Sequence, residues 1–126
     1  MACLSWTFHS PSLRMATHAF VVLPVYPAPP QNTLLLLHGL RGACDTWNRR
    51  TSIERYAAAY GLAVVMPTTD LGWYTDMYRG DKYFAFITRE LPAVCRDLFP
   101  MMSPRREDTY VAGLSLGGYG ALKSAL

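Results

Sequence analysis

Short apolar runs without polar alternation recur along the chain. They cover residues 33–37, 62–66 and 108–112, and they stop at His38-Gly39, Pro67 and Gly113 respectively. Strands that are covered on both faces, as in parallel sheets, are typically continuous apolar runs of this length. The pattern therefore predicts three buried strands, each ending where a turn begins.

Two earlier segments have the composition of strands. Residues 6–9 and 17–23 are rich in β-branched and aromatic side chains and are bounded by proline or serine. Residues 24–30 contain four prolines. Since proline cannot donate to a strand ladder, we predict that the second segment ends in a loop there.

Helical spacing fills the gaps between the apolar runs. Ile53, Tyr56, Ala57 and Tyr60 repeat every three to four residues, and Gly61 is a typical stop. Residues 84–98 continue this spacing over a longer stretch with Pro92 inside it, which predicts a kink or two shorter helices. A last helix is predicted over 119–126. The alternation of strand and helix indicates an α/β fold with right-handed crossovers.

Composition and charge exclude several classes of protein. The chain has 126 residues, of which 51% are hydrophobic and 17% charged, with a net charge of +3, and this fits one folded domain rather than a disordered chain. The arginine pairs at 49–50 and 105–106 are followed by acidic residues, so no single-sign surface for nucleic acid is expected. No apolar run approaches the ~18 residues of a membrane span, and no secretory leader pattern is visible.

The cysteines indicate the redox compartment. Cys3, Cys44 and Cys95 are odd in number, far apart and without a C-x-x-C pair. This spacing favours neither a disulfide scaffold nor a zinc site, so no metal is expected. A reducing, cytoplasmic location is the resulting expectation.

One motif carries chemistry. Residues 113–117 read G-x-S-x-G, between a predicted strand and a predicted helix, which is the setting of a nucleophile elbow. The turn strains its serine and projects the hydroxyl of Ser115 from the sheet edge. Because strand and helix nearly touch there, Gly113 and Gly117 must lack bulk, and Gly118 extends the glycine-rich turn.

Two backbone N–H groups complete the predicted site. The N–H of Leu116 lies at the helix N-terminus, where it can donate to the oxyanion of a tetrahedral intermediate. A second donor is expected from the loop after the strand at 33–37, which reads His-Gly-Leu-Arg-Gly. Gly39 and Gly42 flank this loop and let the backbone expose the N–H of Leu40. A P-loop or a dinucleotide fingerprint does not fit these glycines.

Other polar residues have simpler interpretations. His38 lies inside the oxyanion loop, where bracing by hydrogen bonds is favoured over a role as general base. His9 and His18 lie in the early strands and are expected to be structural. The three aspartates of the 70–81 loop are expected to stabilise turns and caps; they are Asp70, Asp76 and Asp81. Trp73 and Tyr74 of that loop are the candidate wall of a substrate pocket.

Taken together, these segments resemble a known family. Residues 38–42, 72–77 and 90–92, and above all 106–122, are similar to the putative esterase family of α/β hydrolases. The tributyrin-esterase-like branch is the most similar, and S-formylglutathione hydrolases and mycolyltransferases are related to it. The resemblance implies a three-layer α/β-hydrolase sandwich with a mostly parallel sheet. It also implies Ser115 as nucleophile and the N–H groups of Leu40 and Leu116 as oxyanion donors.

The resemblance also implies that the domain is incomplete. In the family, the catalytic Asp and His follow the serine, whereas none of the 11 residues after Ser115 is Asp, Glu or His. Residues 1–126 are thus expected to be the N-terminal portion of one α/β-hydrolase domain, with five strands and the start of the helix after the nucleophile. A fifth strand left as an open edge with an uncovered apolar face would make this chain marginally stable. Because it lacks the catalytic Asp and His, the chain is also expected to be inactive alone.

The expected function of the full-length protein is hydrolysis of short acyl esters or thioesters through an acyl-enzyme. An acyltransferase on the same scaffold, or an inert fragment or binding module, stays open as an alternative. No metal or organic cofactor is expected. The expected partner is a small-molecule ester, with neither nucleic acid nor membrane, and the oligomeric state is left open.

Overall fold

The first two strands form a hairpin. A computed structural model of the protein describes residues 1–24, 28–30 and 32–126, so residues 25–27 of the predicted proline loop lie outside it. Strand β1 spans Ala2–Ser10 and β2 spans Met15–Leu23, and they pair antiparallel along their whole length. Both are longer than the segments at 6–9 and 17–23. Partly buried and exposed positions alternate along β1 from its first residue, as in a strand covered on one face, and β2 pairs with all of it.

The three apolar runs form the other strands. They are β3 (Asn32–Leu37), β4 (Leu62–Pro67) and β5 (Thr109–Gly113). The sheet order is β1-β2-β4-β3-β5, with β3 parallel to both β4 and β5 and β2 antiparallel to β4. The carboxyl ends of β3, β4 and β5 therefore meet at one edge of the sheet. Among the described strands, β5 is an outermost strand of the sheet and pairs with β3 alone.

Helices cover the sheet. They are α1 (Thr46–Arg50), α2 (Ile53–Tyr60), α3 (Tyr83–Ala85), α4 (Leu91–Leu98) and α5 (Leu116–Ala125). Helix α2 begins and ends as predicted, and Gly61 closes it in a left-handed conformation with φ of 63°. Helix α1 was not predicted, since its five residues carry no apolar repeat.

Pro92 shapes the long helical stretch. Residues Phe86–Glu90 form a π-helical turn between α3 and α4, and Pro92 lies in the first turn of α4. Proline has no N–H for the carbonyl four residues earlier, and its ring crowds that carbonyl, so a wider turn relieves the clash. The prediction of a kink or two shorter helices at Pro92 is met only in part, because the helical stretch 83–98 continues without a break and its irregularity is this π turn.

The core is divided between the two faces of the sheet. Ala63 and Val65 of β4 pack with α3, the π turn, α4 and Leu116 of α5, whereas Val64 and Met66 pack with α2 and Trp47 of α1. Neighbouring strand residues point to opposite faces, so a continuous apolar run buries both. The resulting three layers confirm the predicted α/β class, with half of the strand pairings antiparallel.

Candidate active site

The turn between β5 and α5 presents a serine. Ser115 is exposed, with φ of 58° and ψ of −117°, a backbone conformation that L-residues rarely adopt. The N–H of Gly117 donates to the carbonyl of Leu114 (3.0 Å), and the N–H of Tyr119 donates to the carbonyl of Ser115 (3.0 Å). These bonds begin the helix directly after the strand and hold the strained residue at the apex of the turn.

Glycines allow the strand, the helix and the neighbouring loop to approach. A Cβ built on Gly113 would lie 2.3 Å from the backbone of Gly117, and one built on Gly117 would lie 2.2 Å from the carbonyl oxygen of Leu37. Backbone atoms cannot move aside from such overlaps as a side-chain tip can. At Gly118 a Cβ would make an ordinary contact of 3.4 Å. The first two glycines are therefore required by the packing and the third is not.

The loop after β3 makes a tight turn next to the serine. The N–H of Gly42 donates to the carbonyl of Gly39 (3.0 Å), and Arg41 between them has φ of 62°. A positive φ at the third position is the mark of a type II turn. A Cβ built on Gly39 would lie 3.3 Å from the carbonyl oxygen of Leu114 and 3.8 Å from Cβ of Ser115. The predicted oxyanion loop therefore lies directly beside the serine, with room at Gly39 for little more than a hydrogen atom.

Hydrogen bonds on two carbonyls orient the predicted donors. The Gly39 carbonyl accepts from Gly42 and from the imidazole of His38, and the Ser115 carbonyl accepts from Tyr119. In a trans peptide the following N–H points opposite to the carbonyl. The N–H groups of Leu40 and Leu116 therefore point away from these acceptors. Neither donates to a protein acceptor among the described residues, which leaves both free for a ligand oxygen.

His38 is buried and braces this loop. The backbone N–H of Thr69 donates to Nε2 (3.0 Å), so Nε2 is unprotonated and Nδ1 carries the proton. Nδ1–H donates to the Gly39 carbonyl at 2.7 Å. With both ring nitrogens engaged and 1% of the residue exposed, the geometry agrees with the bracing interpretation and leaves no lone pair for a substrate proton.

The prediction for Tyr74 is wrong. Its side chain is 0% exposed, so it does not line an open pocket. Its hydroxyl donates to the His38 carbonyl (3.1 Å) and thereby stabilises the loop that follows β3. Burial raises the pKa of the Tyr74 hydroxyl, which keeps it a donor. Gly120 makes room for the ring, since a Cβ there would lie 2.5 Å from it. Sequence reasoning had no signal that pairs positions 74 and 120.

Trp73 takes a different place. It is 54% exposed and its ring packs edge-to-face on Tyr119 of α5, with centroids 6.2 Å apart. Tyr119 lies one helical turn after Ser115, on the same side of the helix. Trp73 is therefore an exposed aromatic surface near the serine, and its pocket role stays a prediction.

The aspartates and the remaining histidines have structural contacts. Asp76 accepts from the N–H of Ala85 (2.9 Å) in α3, and Asp70 accepts from the hydroxyl of Tyr83 (3.1 Å), whose pKa is raised by burial and by that carboxylate. The other two contacts are an ion pair of Asp81 with Arg14 at 3.7 Å and a hydrogen bond between Thr7 and His18 at 3.0 Å. The strands that carry His9 and His18 are separated from β5 by β4 and β3.

A cleft opens beside the loop. It has a volume of about 480 Å³ and lies between Gly39, Leu40 and Leu114 on one side and α1, with Trp47, on the other. The indole N–H of Trp47 donates to the Leu37 carbonyl (3.3 Å), which fixes α1 against β3. Sequence reasoning missed this wall because α1 is too short to show a period.

Other kinds of site are not visible in the described part of the chain. No group of three or more His, Cys, Asp or Glu side chains there is arranged to hold a metal ion. No helix of that part is long and apolar enough to cross a membrane. The three cysteines are free, and burial raises the pKa of Cys95 to about 12.

Known proteins share this architecture and sequence. Residues 10–126 match the model of the putative esterase family. The chain is 32% identical to an acetyl esterase of Caldicellulosiruptor saccharolyticus, over 100% of this chain and 51% of that protein. It is 29% identical to an S-formylglutathione hydrolase of Paracoccus denitrificans, over 74% of this chain and 40% of that protein.

A solved structure gives the same picture. The serine hydrolase FphF of Staphylococcus aureus superposes with a TM-score of 0.89 at 39% identity, over 98% of this chain and 51% of that one. The chain thus spans about half the length of the proteins it matches. Its fold is that of the α/β hydrolases, and the chain belongs to the putative esterase family.

Proposed function

We propose that the full-length protein is a serine carboxylesterase that hydrolyses short acyl esters or thioesters, with Ser115 as the nucleophile. The observation that carries the proposal is the exposed, strained Ser115 beside a loop in which the N–H of Leu40 has no acceptor among the described residues. Strain of this kind costs about 1–3 kcal/mol and persists at functional sites.

The proposed reaction uses the two free amides. Oγ of Ser115 attacks the carbonyl carbon of the ester while its proton passes to a general base. The carbonyl oxygen becomes an anion held between the N–H groups of Leu40 and Leu116, and one such donor typically contributes about 3–4 kcal/mol of barrier lowering. The alcohol or thiol leaves with the proton, and water then releases the acid from the acyl-enzyme.

We assign the base and its orienting carboxylate to a part of the protein outside these 126 residues. Both ring nitrogens of His38 are engaged. His18 lies on β2, three strand spacings from β5, which amounts to about 14 Å, and His9 lies one strand further. The family resemblance supports a later Asp and His in that order.

The relatives support the substrate class. An acetyl esterase and an S-formylglutathione hydrolase act on a short acyl ester and a short acyl thioester, as their names state. A small-molecule ester is accordingly the proposed partner. A cytoplasmic location belongs to the same proposal and rests on the free cysteines.

A fluorophosphonate probe tests the nucleophile. We expect it to label the full-length protein at Ser115, and the label to be lost in Ser115→Ala but kept in Ser52→Ala, which removes an exposed hydroxyl elsewhere. Labelling of the 126-residue chain as well would contradict the assignment of the base to another part of the protein. Labelling that survives Ser115→Ala would overturn the proposal.

A product assay separates hydrolase from transferase. The full-length protein is incubated with a short acyl ester and an acceptor alcohol, and the products are measured by mass spectrometry. Free acid as the main product supports the esterase, whereas transfer to the alcohol at the expense of acid would place the protein among the acyltransferases.

A further inference from the structure

The cleft beside Ser115 has the size of a small-molecule site. Its volume of about 480 Å³ falls within the range of ligand pockets. Gly39 and Leu114, which flank Ser115, form one end of it, and the indole of Trp47 contributes apolar wall. Ser115 itself does not line the cleft, so a substrate group reaches this space by extending from the scissile carbonyl past Gly39 and Leu114 toward α1.

The charges around the cleft all have one sign. Three arginines line it, and no acidic side chain does. Arg49 is neutralised by Asp45 on the same helix, with Nε and Oδ2 2.8 Å apart. Arg41 and Arg50 have no carboxylate within 4.0 Å among the described residues. Within the described part of the chain, two arginines without a carboxylate partner thus line a largely apolar cleft near the serine.

The backbone of Arg41 adds an independent observation. Its φ of 62° occupies the turn position that favours glycine, and its side chain is exposed. A non-glycine residue there costs about 1 kcal/mol, and exposure means that packing of this side chain does not repay the cost. Arg41 thus occupies a strained position, and no hydrogen bond or ion pair of its side chain to another described residue explains it.

We infer that this cleft binds a carboxylate carried by the ester substrate, held by Arg41 and Arg50, so that the enzyme prefers anionic esters. The inference rests on the proposed esterase function and narrows its substrate class. Guanidinium groups pair with carboxylates in a bidentate manner, and a partly apolar cleft strengthens such pairing relative to open water.

Two matched ester pairs test the inference in the full-length protein. One pair carries the charge on the leaving group: para-acetoxyphenylacetate and its methyl ester. The other carries it on the acyl group: mono-para-nitrophenyl adipate and its methyl ester. We expect kcat/KM to be about tenfold higher for the charged member than for the neutral member of one pair, the effect of two partly exposed ion pairs. Whether this is the leaving-group pair or the acyl-group pair shows which side of the substrate enters the cleft.

Arginine variants test whether Arg41 and Arg50 cause the preference for charged esters. We expect Arg41→Gln and Arg50→Gln each to lower the charged-to-neutral ratio about three- to fivefold. Raising the salt concentration should lower it too. Arg106→Gln removes the same charge before β5, at the end of that strand opposite to Ser115, and should leave the ratio unchanged. A ratio near one for both pairs, or one that neither cleft variant alters, would overturn the inference.

A binding measurement separates this inference from the proposed function. Hexanoate should shift the indole N–H signal of Trp47 in NMR spectra, hexanamide should shift it less, and the double variant of Arg41 and Arg50 should lose the difference. If neither ester pair is hydrolysed but this difference is seen, the esterase proposal fails while the carboxylate site stands. Equal shifts with both compounds would refute the site whatever the activity.

Discussion

The edge of the sheet at which β3, β4 and β5 end differs in backbone strain from the opposite edge, at which these strands begin. At the edge where β3, β4 and β5 end, all six described non-glycine residues with positive φ are found. Arg14 is among them because the β1–β2 turn lies at this edge, as the pairing of Ala19 with Pro67 shows. At the opposite edge the described turn into β4 uses a glycine, Gly61. The strained residues are Arg14, Arg41, Asp70, Trp73, Tyr74 and Ser115.

This difference shows which turns contain backbone conformations that lower the stability of the protein. A turn that only connects elements takes the residue with the lowest backbone cost, which is glycine at positive φ. Turns at the other edge keep side chains in spite of that cost. Three of these residues, Arg41, Tyr74 and Ser115, line the cleft, support the loop or form the apex of the elbow. Strain concentrates where the site is built.

The largest expected effect is at the closest backbone approach. Gly117→Ala should destabilise the full-length protein by at least about 3 kcal/mol, because its Cβ would overlap backbone that cannot move aside. Gly118→Ala is the matched control and should be neutral or stabilise α5 by up to about 1 kcal/mol. Urea unfolding measures both. Equal effects of the two substitutions would show that the elbow is not as tightly packed as described.

His38→Ala should have the next largest effect. It leaves the Thr69 N–H without its acceptor and frees the Gly39 carbonyl, at a cost of about 2–3 kcal/mol. If His38 also orients the Leu40 amide, fluorophosphonate labelling should slow in the fraction that stays folded. His9→Ala, on an exposed position of β1, should change neither quantity. Normal labelling of folded His38→Ala would limit the histidine to a stabilising role.

Ser115→Gly should stabilise the protein. Glycine adopts φ of 58° without steric cost, and the gain over Ser115→Ala should be about 1 kcal/mol after the larger unfolded-state entropy of glycine is counted. Both variants lose the hydroxyl, so the difference between them in urea unfolding isolates the backbone strain. Equal stability of the two variants would contradict strain at this edge.

Cysteine alkylation gives the smallest and most local comparison. Cys44 lies in the loop at the strained edge and is partly exposed, whereas Cys95 in α4 is 2% exposed with its pKa raised to about 12 by burial. A raised pKa keeps the reactive thiolate scarce at pH 8. Iodoacetamide should therefore modify Cys44 in the folded protein and Cys95 only at the rate of unfolding. Mass spectrometry measures the modification of each cysteine. If Cys95 were modified faster than Cys44, the core around α4 would open more readily than the loop that holds Cys44.

Much of the fold was predictable because its signals are local. The apolar runs of β3, β4 and β5, the Gly61 stop and an irregularity of the helix near Pro92 follow from periodicity and from backbone chemistry of single residues. The antiparallel placement of β2 beside β4 was not predicted, since a strand's composition does not say which strand it pairs with. That information lies in contacts between distant parts of the chain.

In the candidate site too, local features were predictable from the sequence and contacts between distant residues were not. The glycines around Ser115 and Leu40 predicted two tight turns, which the structure contains. The fixation of His38 by Thr69 was missed, although His38 directly follows β3, Thr69 lies two residues after β4, and these neighbouring parallel strands end at the same side of the sheet. Tyr74 was misread as a pocket wall because an aromatic residue in a loop gives no sign of the glycine on another element that makes room for it.

The most direct test of the central claim is a crystal structure of the full-length protein after reaction with a fluorophosphonate. The account predicts phosphorus bonded to Oγ of Ser115 and the phosphoryl oxygen about 3 Å from the backbone nitrogens of both Leu40 and Leu116. A phosphoryl oxygen turned to solvent, or bound by neither amide, would contradict the claim that this strained edge is an oxyanion site.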